Sequence, residues 1–311
     1  MAGHKTTLEQ WRILQAVVDH GGYAQAAEVL FRSQSSLNHA VKKLESQLGV
    51  QVLEVKGRKA YLTEAGEALL RRSRFLTDSA AELEKLAENI DMGWEPQLTI
   101  SVEAIYPRDL LFRALEQFYP ESRGTRIRII DSVLTGSMEH ILNKSVDLAI
   151  TGHIPKGFTG ESLCQIEFLL VVHHQHELVG SLQEVAQEDL VNQLQIVIKD
   201  TAAKPDNNQG WLKAEQRWTV DSFERAKQIL KRGMGFCWLP RHEVLQELAS
   251  GEFVEIEVTY SSGRTGEVSL VVPNPDLLGP GGHCLYEALL KEGRSAQCRK
   301  ALRDIGVKIE S

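Results

Sequence analysis

A leucine repeat with a period of seven residues divides this 311-residue chain into two unequal parts. Its members are Leu62, Leu69, Leu76, Leu83 and Ile90. Such a period, sustained over four heptads, predicts one long helix that pairs with a second helix in a coiled coil. The alternative is an ordinary core helix that is rich in leucine. Residues 93–96, Gly-Trp-Glu-Pro, break the helix, so we predict a linker helix over 63–92 that Thr63 can cap.

A small helical domain with a hairpin is predicted before the linker helix, over residues 1–62. Thr6 and Glu9 have the spacing of a capping box, so Thr6 should cap a first helix. A second, short helix should cover 23–31, and a third should run from a Ser33 cap to Gly49. A hairpin with a basic tip at 56–59 follows. Two short helices joined by a tight turn, with such a hairpin after them, form a winged helix-turn-helix.

The third helix carries the candidate contacts to DNA. Leu37, Val41 and Leu44 fall on one side, and short polar side chains occupy the other. Amides can bond adenine edges, whereas lysine and arginine suit phosphates. A merely solvated face is the alternative. The candidate DNA-binding residues are Gln34, Ser35, Ser36, Asn38, His39 and Lys42, with Arg58 and Lys59 at the hairpin tip.

Charge is unevenly distributed along the chain. The whole sequence has a formal net charge of −7, yet residues 1–60 carry eight Lys/Arg and five Asp/Glu. Only this first segment has an excess of positive charge that suits binding to the phosphates of DNA, and the excess is small. A DNA-binding domain with so little positive charge needs well-placed contacts, or several copies in one assembly, to reach useful affinity.

The same segment resembles the N-terminal signature of the LysR-type transcriptional regulators. The matching runs, spaced without gaps, are Ala26-Ala27-Glu28-Val29-Leu30, Ser33-Gln34, Leu44-Glu45, Leu48-Gly49 and Leu62-Thr63-Glu64-Ala65-Gly66. The resemblance implies that Gln34, Ser35, Asn38 and His39 lie in the major groove, and that the linker helices of two chains pair antiparallel. The family usually has proline at position 35, serine at 38 and often arginine at 39. It commonly has arginine at 55, where this chain has valine. The departures at 35, 38 and 39 concern which DNA sequence is read, and the departure at 55 concerns a phosphate contact that has moved to Lys56 or been lost.

Strands and helices alternate over residues 97–295. Strands at 98–102, 126–130 and 146–150, separated by helices, predict a parallel sheet. A similar set follows up to residue 266. No P-loop, GxGxxG, GxSxG or HExxH motif occurs, so no active site is visible and we expect no catalytic residue, no cofactor and no metal. The histidines at 173, 174 and 176 lack an organised set of partner ligands.

In LysR-like chains this region resembles the two-lobed periplasmic binding proteins. The fold class expected is thus an N-terminal α winged helix-turn-helix with a long linker helix, followed by an α/β two-lobed effector domain. One lobe would comprise 97–163 and 267–295, and the other 164–266; the tail, 296–311, would be helical. Ligands of such sheets bind at the carboxyl ends of strands. The candidate effector-binding residues are Ser101, Glu103, Thr135, Thr151, Thr201 and Asp221. A carboxylate at Glu103 would repel an anion and favours amine or hydroxyl donors.

The resulting hypothesis is a regulator that binds double-stranded DNA and a small-molecule effector, and that forms dimers and tetramers. No apolar run is long enough to span a bilayer, and no signal peptide opens the chain, so we expect a cytoplasmic protein without a membrane partner. Two alternatives remain open. One is a two-lobed solute-binding protein or enzyme, and the other is a DNA-binding protein whose second domain serves assembly without a ligand. None of the four cysteines forms a CxxC pair.

Overall fold

The computed structural model divides the chain into two units, Met1–Asp91 and Met92–Ser311. The structure describes residues 4–56, 59–180, 185–205, 212–258, 264–294 and 307–308. None of the helices in these ranges is long and apolar enough to cross a membrane.

The described residues of the first unit form four helices and one hairpin. The helices are α1 (Leu8–Asp19), α2 (Tyr23–Val29), α3 (Gln34–Leu48) and α4 (Glu64–Asp91), and the hairpin pairs β1 (Leu53–Lys56) with β2 (Lys59–Leu62). The predicted stripe on α3 faces the core, since Leu37, Val41 and Leu44 are almost fully buried with Leu14. The predicted winged helix-turn-helix and the long linker helix are both present.

The ends of these helices follow from their capping residues. The predicted cap of α1 is off by one residue. The hydroxyl of Thr7, rather than that of Thr6, accepts the backbone amide of Gln10, and the backbone amide of Thr7 donates in turn to the side-chain oxygen of Gln10. The Thr6 hydroxyl instead accepts the Trp11 indole N–H at 3.3 Å. Ser33 caps α3 as predicted, and Gly49 ends it in the left-handed conformation at φ +74°. Glycine adopts this conformation without strain.

The start of the hairpin is held between α3 and α4. The Glu45 carboxylate accepts the amides of Val52 and Leu53 at 2.9 and 3.1 Å. Thr63 caps α4 through the Gly66 amide, and its hydroxyl donates to the carbonyl oxygen of Gln51 at 2.7 Å. These bonds fix the hairpin against the end of α3.

Substituting Gly66 by alanine should destabilise the protein. A Cβ at this position would lie 2.0 Å from the Val52 carbonyl oxygen, which is a backbone atom that cannot rotate away. Overpacking of this kind costs about 1–3 kcal/mol. Helix propensity alone predicts the opposite sign, a gain of about 1 kcal/mol for Gly→Ala. Urea-induced unfolding of the full chain measures the sign, with Ala65→Gly, at an exposed neighbouring site, as the control for propensity. A more stable Gly66→Ala variant would contradict the proposed contact.

Strands and helices alternate in the second unit. The strands are β3 (Gln97–Glu103), β4 (Arg126–Ser132), β5 (Leu148–Thr151), β6 (Gly160–His173), β7 (Gln195–Ile198), β8 (Arg217–Val220), β9 (Phe236–Pro240), β10 (Phe253–Glu255), β11 (Arg264–Val271) and β12 (Val307–Lys308). The helices are α5 (Arg108–Phe118), α6 (Thr135–Leu142), α7 (Gln187–Val191), α8 (Phe223–Leu230), α9 (Leu245–Ala249) and α10 (Pro280–Arg294).

These strands form one mixed sheet in the order β4-β3-β5-β11-β6-β9-β7-β8. The pairs β3–β4 and β3–β5 are parallel, as the alternating sequence predicts, and so are β7–β8 and β7–β9. Strands β6 and β11 run antiparallel to their neighbours and join the two parallel groups. Because β6 is 14 residues long, it contributes Cys164 to one hydrophobic core and Leu170 to another. The unit therefore has two lobes with separate cores.

Glu95, in the segment 93–96 that follows the linker helix, is hydrogen-bonded to the start of α10 within the second unit. The Glu95 carboxylate accepts three backbone amides at the start of α10, from Gly279, Gly281 and Gly282 at 2.7–3.0 Å. A Cβ at any of these glycines would lie within 3.0 Å of a Glu95 carboxyl atom. The glycines therefore leave room for that carboxylate.

Two further predictions about local structure need correction. From its place before a predicted helix over 136–143, Thr135 is expected to cap that helix. It is instead the first residue of α6, and Leu134, at φ +54°, precedes the helix. In the tail, which was predicted to be helical, Val307–Lys308 instead pairs with β6 as β12. The residues on either side, 295–306 and 309–311, lie outside the described ranges.

Candidate functional site

The outer face of α3 is polar and accessible. Its candidate residues Gln34, Ser35, Ser36, Asn38, His39 and Lys42 are all exposed. Asn38 and Lys42 are one helical turn apart and so project from the same side of the helix. Of the hairpin-tip candidates, Arg58 lies outside the described residues, and Lys59 is described only as part of strand β2. The described part of this face combines amides and hydroxyls with one lysine.

A cavity of about 290 Å³ lies between the two lobes of the second unit. Residues from both lobes and from the connecting strands line it, and most of them are apolar. The lining residues are Glu103, Ile105, Val133, Leu134, Gly152, His153, Phe168, Gln195, Ile196, Val197, Ile198, Leu212, Phe223, Cys237, Trp238, Thr265, Gly266 and Glu267. This volume is at the low end of the range of small-molecule sites, about 300–1,000 Å³.

The six candidate effector-binding residues lie in different surroundings. Glu103 is the one that lines the cavity. Thr135, Thr151 and Thr201 are hydrogen-bonded near the start of α6, next to the cavity wall. Ser101 is fully buried, and its hydroxyl donates to that of Ser132 at 3.1 Å. Asp221 is exposed at the end of β8 and forms an ion pair with Arg225 on α8 at 2.7 Å, so it does not join the others.

Glu103 belongs to a buried hydrogen-bond network. One carboxylate oxygen accepts the Leu134 amide at 2.7 Å, and the other accepts the Ser137 hydroxyl at 2.9 Å. The Ser137 hydroxyl also lies 2.8 Å from that of Thr151. Burial raises the pKa of Glu103 to about 7, with a smaller contribution in the same direction from the charge of Asp200. The two hydrogen bonds act in the opposite direction but do not offset the burial.

A second set of bonds joins the lobes beside the cavity, and it includes residues that were not among the predicted effector-binding candidates. Asp200, in the loop after β7, accepts both the amide and the hydroxyl of Thr135. The Thr201 hydroxyl accepts the Val133 amide at 2.9 Å. Gly136 lies so close that a Cβ there would be 1.9 Å from the Thr201 hydroxyl oxygen. Asp200 and Ser137 were missed, although Asp200 directly precedes Thr201 in sequence and Ser137 lies two residues after Thr135.

Two of the cysteines are poorly suited to thiolate chemistry. Cys237 lines the cavity and Cys164 lies in the core of the first lobe, and both are nearly inaccessible. Burial raises the pKa of each thiol to about 12, which disfavours the reactive thiolate. Cys298 lies outside the described residues.

Replacing Glu103 by glutamine should remove a pH dependence of stability. The folded state holds this proton up to about pH 7, whereas the unfolded chain releases it near its ordinary pKa of 4.5, so stability falls as the pH rises between these values. The difference corresponds to about 3 kcal/mol. Glutamine can bond both partners without ionising, because its amide oxygen can accept the Leu134 amide and its amide nitrogen can donate to the Ser137 hydroxyl, which reverses the direction of that second bond.

Urea unfolding of both proteins at pH 5 and pH 8 measures this effect. Contributions from other groups are common to both proteins and cancel in the comparison. The variant should gain stability relative to the wild type as the pH rises. An equal change in the two proteins would show that Glu103 does not titrate in this range.

Comparison with known proteins assigns both units. The model of the "LysR substrate binding domain" matches residues 92–294, which is most of the chain. The model of the "bacterial regulatory helix-turn-helix protein, lysR family" matches residues 8–67. The chain belongs to the LysR family of transcriptional regulators. It is a DNA-binding regulator with a C-terminal effector-binding domain.

Relatives of this LysR-type regulator extend along most of its length. The HTH-type transcriptional regulator YeeY of Escherichia coli K12 is 31% identical over 259 residues, covering 82% of this chain and 84% of YeeY. The probable regulator YhaJ from the same strain is 28% identical over 86% of this chain and 89% of its own length.

Solved structures of low sequence identity share the fold of this regulator. A Corynebacterium glutamicum OxyR C206 mutant matches 100% of this chain and 99% of its own, with a TM-score of 0.53 and 18% identity. Full-length LysG with bound effector Arg, from the same organism, matches 93% and 98% with a TM-score of 0.51 and 17% identity. These likenesses support the winged helix-turn-helix and two-lobed architecture.

Proposed function

We propose that this LysR-type regulator reads DNA through the exposed face of α3 and responds to a small molecule bound in the interlobe cavity. The supporting observation for the first part is the contrast on α3 between its buried apolar stripe and its exposed amides, hydroxyls and lysine. Side chains of this kind can bond base edges and phosphates in a major groove. Arg58 and Lys59 complete the reader at the wing, where they contact phosphates.

The supporting observation for the second part is a cavity lined from both lobes, with bonds between the lobes beside it. Thr135 of the first lobe is bonded to Asp200 of the second, so a molecule in the cavity adjoins contacts that depend on lobe closure. A ligand shifts such an equilibrium by its difference in affinity for the two arrangements. The effector acts on DNA binding in this way, and the protein catalyses no reaction.

The regulator assembles through α4, on which Leu76, Leu83 and Ile90 of the heptad repeat are exposed in the single chain. Two chains pair along this helix, and two such dimers associate through the effector-binding domains into a tetramer. A dimer places two copies of α3 on two half-sites about one helical turn of DNA apart. The protein acts in the cytoplasm, where it meets chromosomal DNA.

Two linked experiments test this function. Selection from random duplexes with the full-length protein should yield an interrupted palindrome. A metabolite library is then screened by thermal shift, because a bound ligand stabilises the native state. Gly152→Leu should abolish the shift by filling the cavity, since a Cβ there meets no atom closer than 3.8 Å and the side chain has room to enter.

Gly180→Leu is the matched control, because a Cβ there meets nothing within 4 Å and Gly180 does not line the cavity. It should retain every shift of the wild type. Ligands that stabilise Gly152→Leu to the same extent as the wild type would place the effector site outside this cavity. A selection that enriches no DNA sequence would contradict sequence-specific DNA binding.

A further inference from the structure

The charges and the shape of the interlobe cavity specify a class of ligand. We infer that the cavity binds a compact cation, a protonated amine carried on an apolar body about the size of one ring, and that it rejects carboxylates. This rests on the proposed function of the cavity as the effector site. Three independent observations support it.

The walls favour a flat apolar body. Phe168 from β6, Trp238 from β9 and Phe223 from the start of α8 line the cavity, and aliphatic side chains fill most of the remaining wall. Aromatic faces also attract cations, by about 0.5–2 kcal/mol depending on desolvation. The volume of about 290 Å³ limits the occupant to a small molecule.

Above about pH 7, where Glu103 is ionised, the carboxylates on the cavity wall are negatively charged. Glu103 and Glu267 line the cavity, and no lysine or arginine occurs among its described lining residues. Asp200, behind the wall, adds a third carboxylate to the surroundings of Glu103. Burying an anion here would place like charges together without a compensating cation, whereas a cation would find partners.

At the start of α6, two backbone amides that could have received an anion are already occupied. The amides of Leu134 and Thr135, at the start of α6, donate to Glu103 and Asp200 respectively. A helix start attracts anions because its free amides and its dipole are positive. Here two carboxylates of the protein satisfy that preference, so a ligand carboxylate would have to displace one of them.

Glu103 also gives the binding of a cation a distinct pH dependence. Its pKa of about 7 means that a cation must expel a proton from this carboxyl below neutral pH. An amine should therefore bind about tenfold more tightly at pH 8 than at pH 6. Among the described residues, Glu267, Asp200, His153 and Cys237 are other titratable groups near the cavity, so the effect must be assigned with a Glu103 variant.

The test uses three probes with the same ring and different head groups: benzylamine, benzyl alcohol and benzoate. Binding to the full-length protein is measured by calorimetry and thermal shift at pH 6 and pH 8. Benzylamine should bind with a Kd of about 1 mM or below, benzyl alcohol about tenfold more weakly, and benzoate not at all at ~10 mM. In Glu103→Gln, the preference for the amine and its pH dependence should both decrease, while Glu116→Gln, an exposed carboxylate on α5, should behave as the wild type.

The outcomes distinguish a wrong ligand class from a wrong assignment of the cavity as the effector site. Benzoate binding that equals that of benzylamine, or no binding of benzylamine, overturns the inference. If benzoate binds the wild type but not Gly152→Leu, the cavity is a ligand site of a different class and the proposed function stands. If all three probes bind Gly152→Leu and the wild type equally, both proposals fail. A pH dependence that survives in Glu103→Gln would assign it to another group and overturn the role given to Glu103.

Discussion

Replacing Leu76 and Leu83 together by glutamate should convert the protein to monomers and weaken its binding to DNA by about 10²–10⁴-fold. Both side chains lie on the heptad face of α4 and are exposed in the single chain, by 56% and 68%. Leucines repeated on one exposed helix face indicate an interface. A glutamate in that interface would be buried without a partner, which costs several kcal/mol for each charge.

The loss of DNA affinity would follow from the loss of a second reading helix rather than from any change in α3. Sedimentation and DNA titration of the same samples measure both effects. Ala81→Glu is the matched control, because Ala81 is exposed on the opposite side of the same helix and should tolerate a charge. An unchanged assembly with intact DNA affinity in the leucine variant would exclude α4 as the interface.

The first unit could be predicted closely from sequence because short-range patterns determine it. The 3.6-residue spacing of Leu37, Val41 and Leu44 predicts the buried side of α3, and Ser33 and Gly49 predict its ends. The cap of α1 was assigned to Thr6 instead of Thr7 because two adjacent threonines each have an acceptable partner three residues later. Local spacing cannot choose between them, whereas the orientation of Trp11 in the core does.

The signature positions that carried the resemblance turn out to serve the fold. Glu45 holds the hairpin amides, Thr63 caps α4, and Gly66 allows the Val52 carbonyl to approach. A resemblance on such positions therefore predicts the architecture well. It predicts less about the DNA sequence that is read, because the exposed positions 35, 38 and 39 are where this chain departs from the family.

The cavity could be predicted only in part. Carboxyl ends of parallel strands pointed to Glu103, but Phe168 and Glu267 lie on the antiparallel strands β6 and β11, and Trp238 lies on β9, which pairs antiparallel with β6. Which face of such a strand meets the cavity depends on register across the sheet, which local sequence does not contain. Asp221 satisfied the same strand-end rule and yet is exposed and paired with Arg225, although Phe223, two residues later, lines the cavity.

Substitutions on α3 should separate reading of bases from attraction to phosphate. Asn38→Ala should reduce the preference for a selected operator over random DNA by about 1–3 kcal/mol per half-site, because an amide can bond an adenine edge through two hydrogen bonds. Its effect on the salt dependence of binding should be small. Lys42→Ala should instead weaken binding to all duplexes alike and reduce the salt slope by about one unit per chain. Both side chains are exposed on the same side of α3, so neither variant should disturb the core.

Binding to operator and random duplexes at several salt concentrations distinguishes these effects. Gln246→Ala, an exposed amide on α9, is the control for Asn38→Ala, and Lys85→Ala, exposed on α4, is the control for Lys42→Ala. Both controls should bind as the wild type does. If the two α3 variants lose specific and non-specific affinity in the same proportion, the division of roles is wrong. If both retain wild-type affinity for operator and random DNA, then α3 is not the reading helix, because removing a base contact and a phosphate contact from the helix in the groove must change at least one of these affinities.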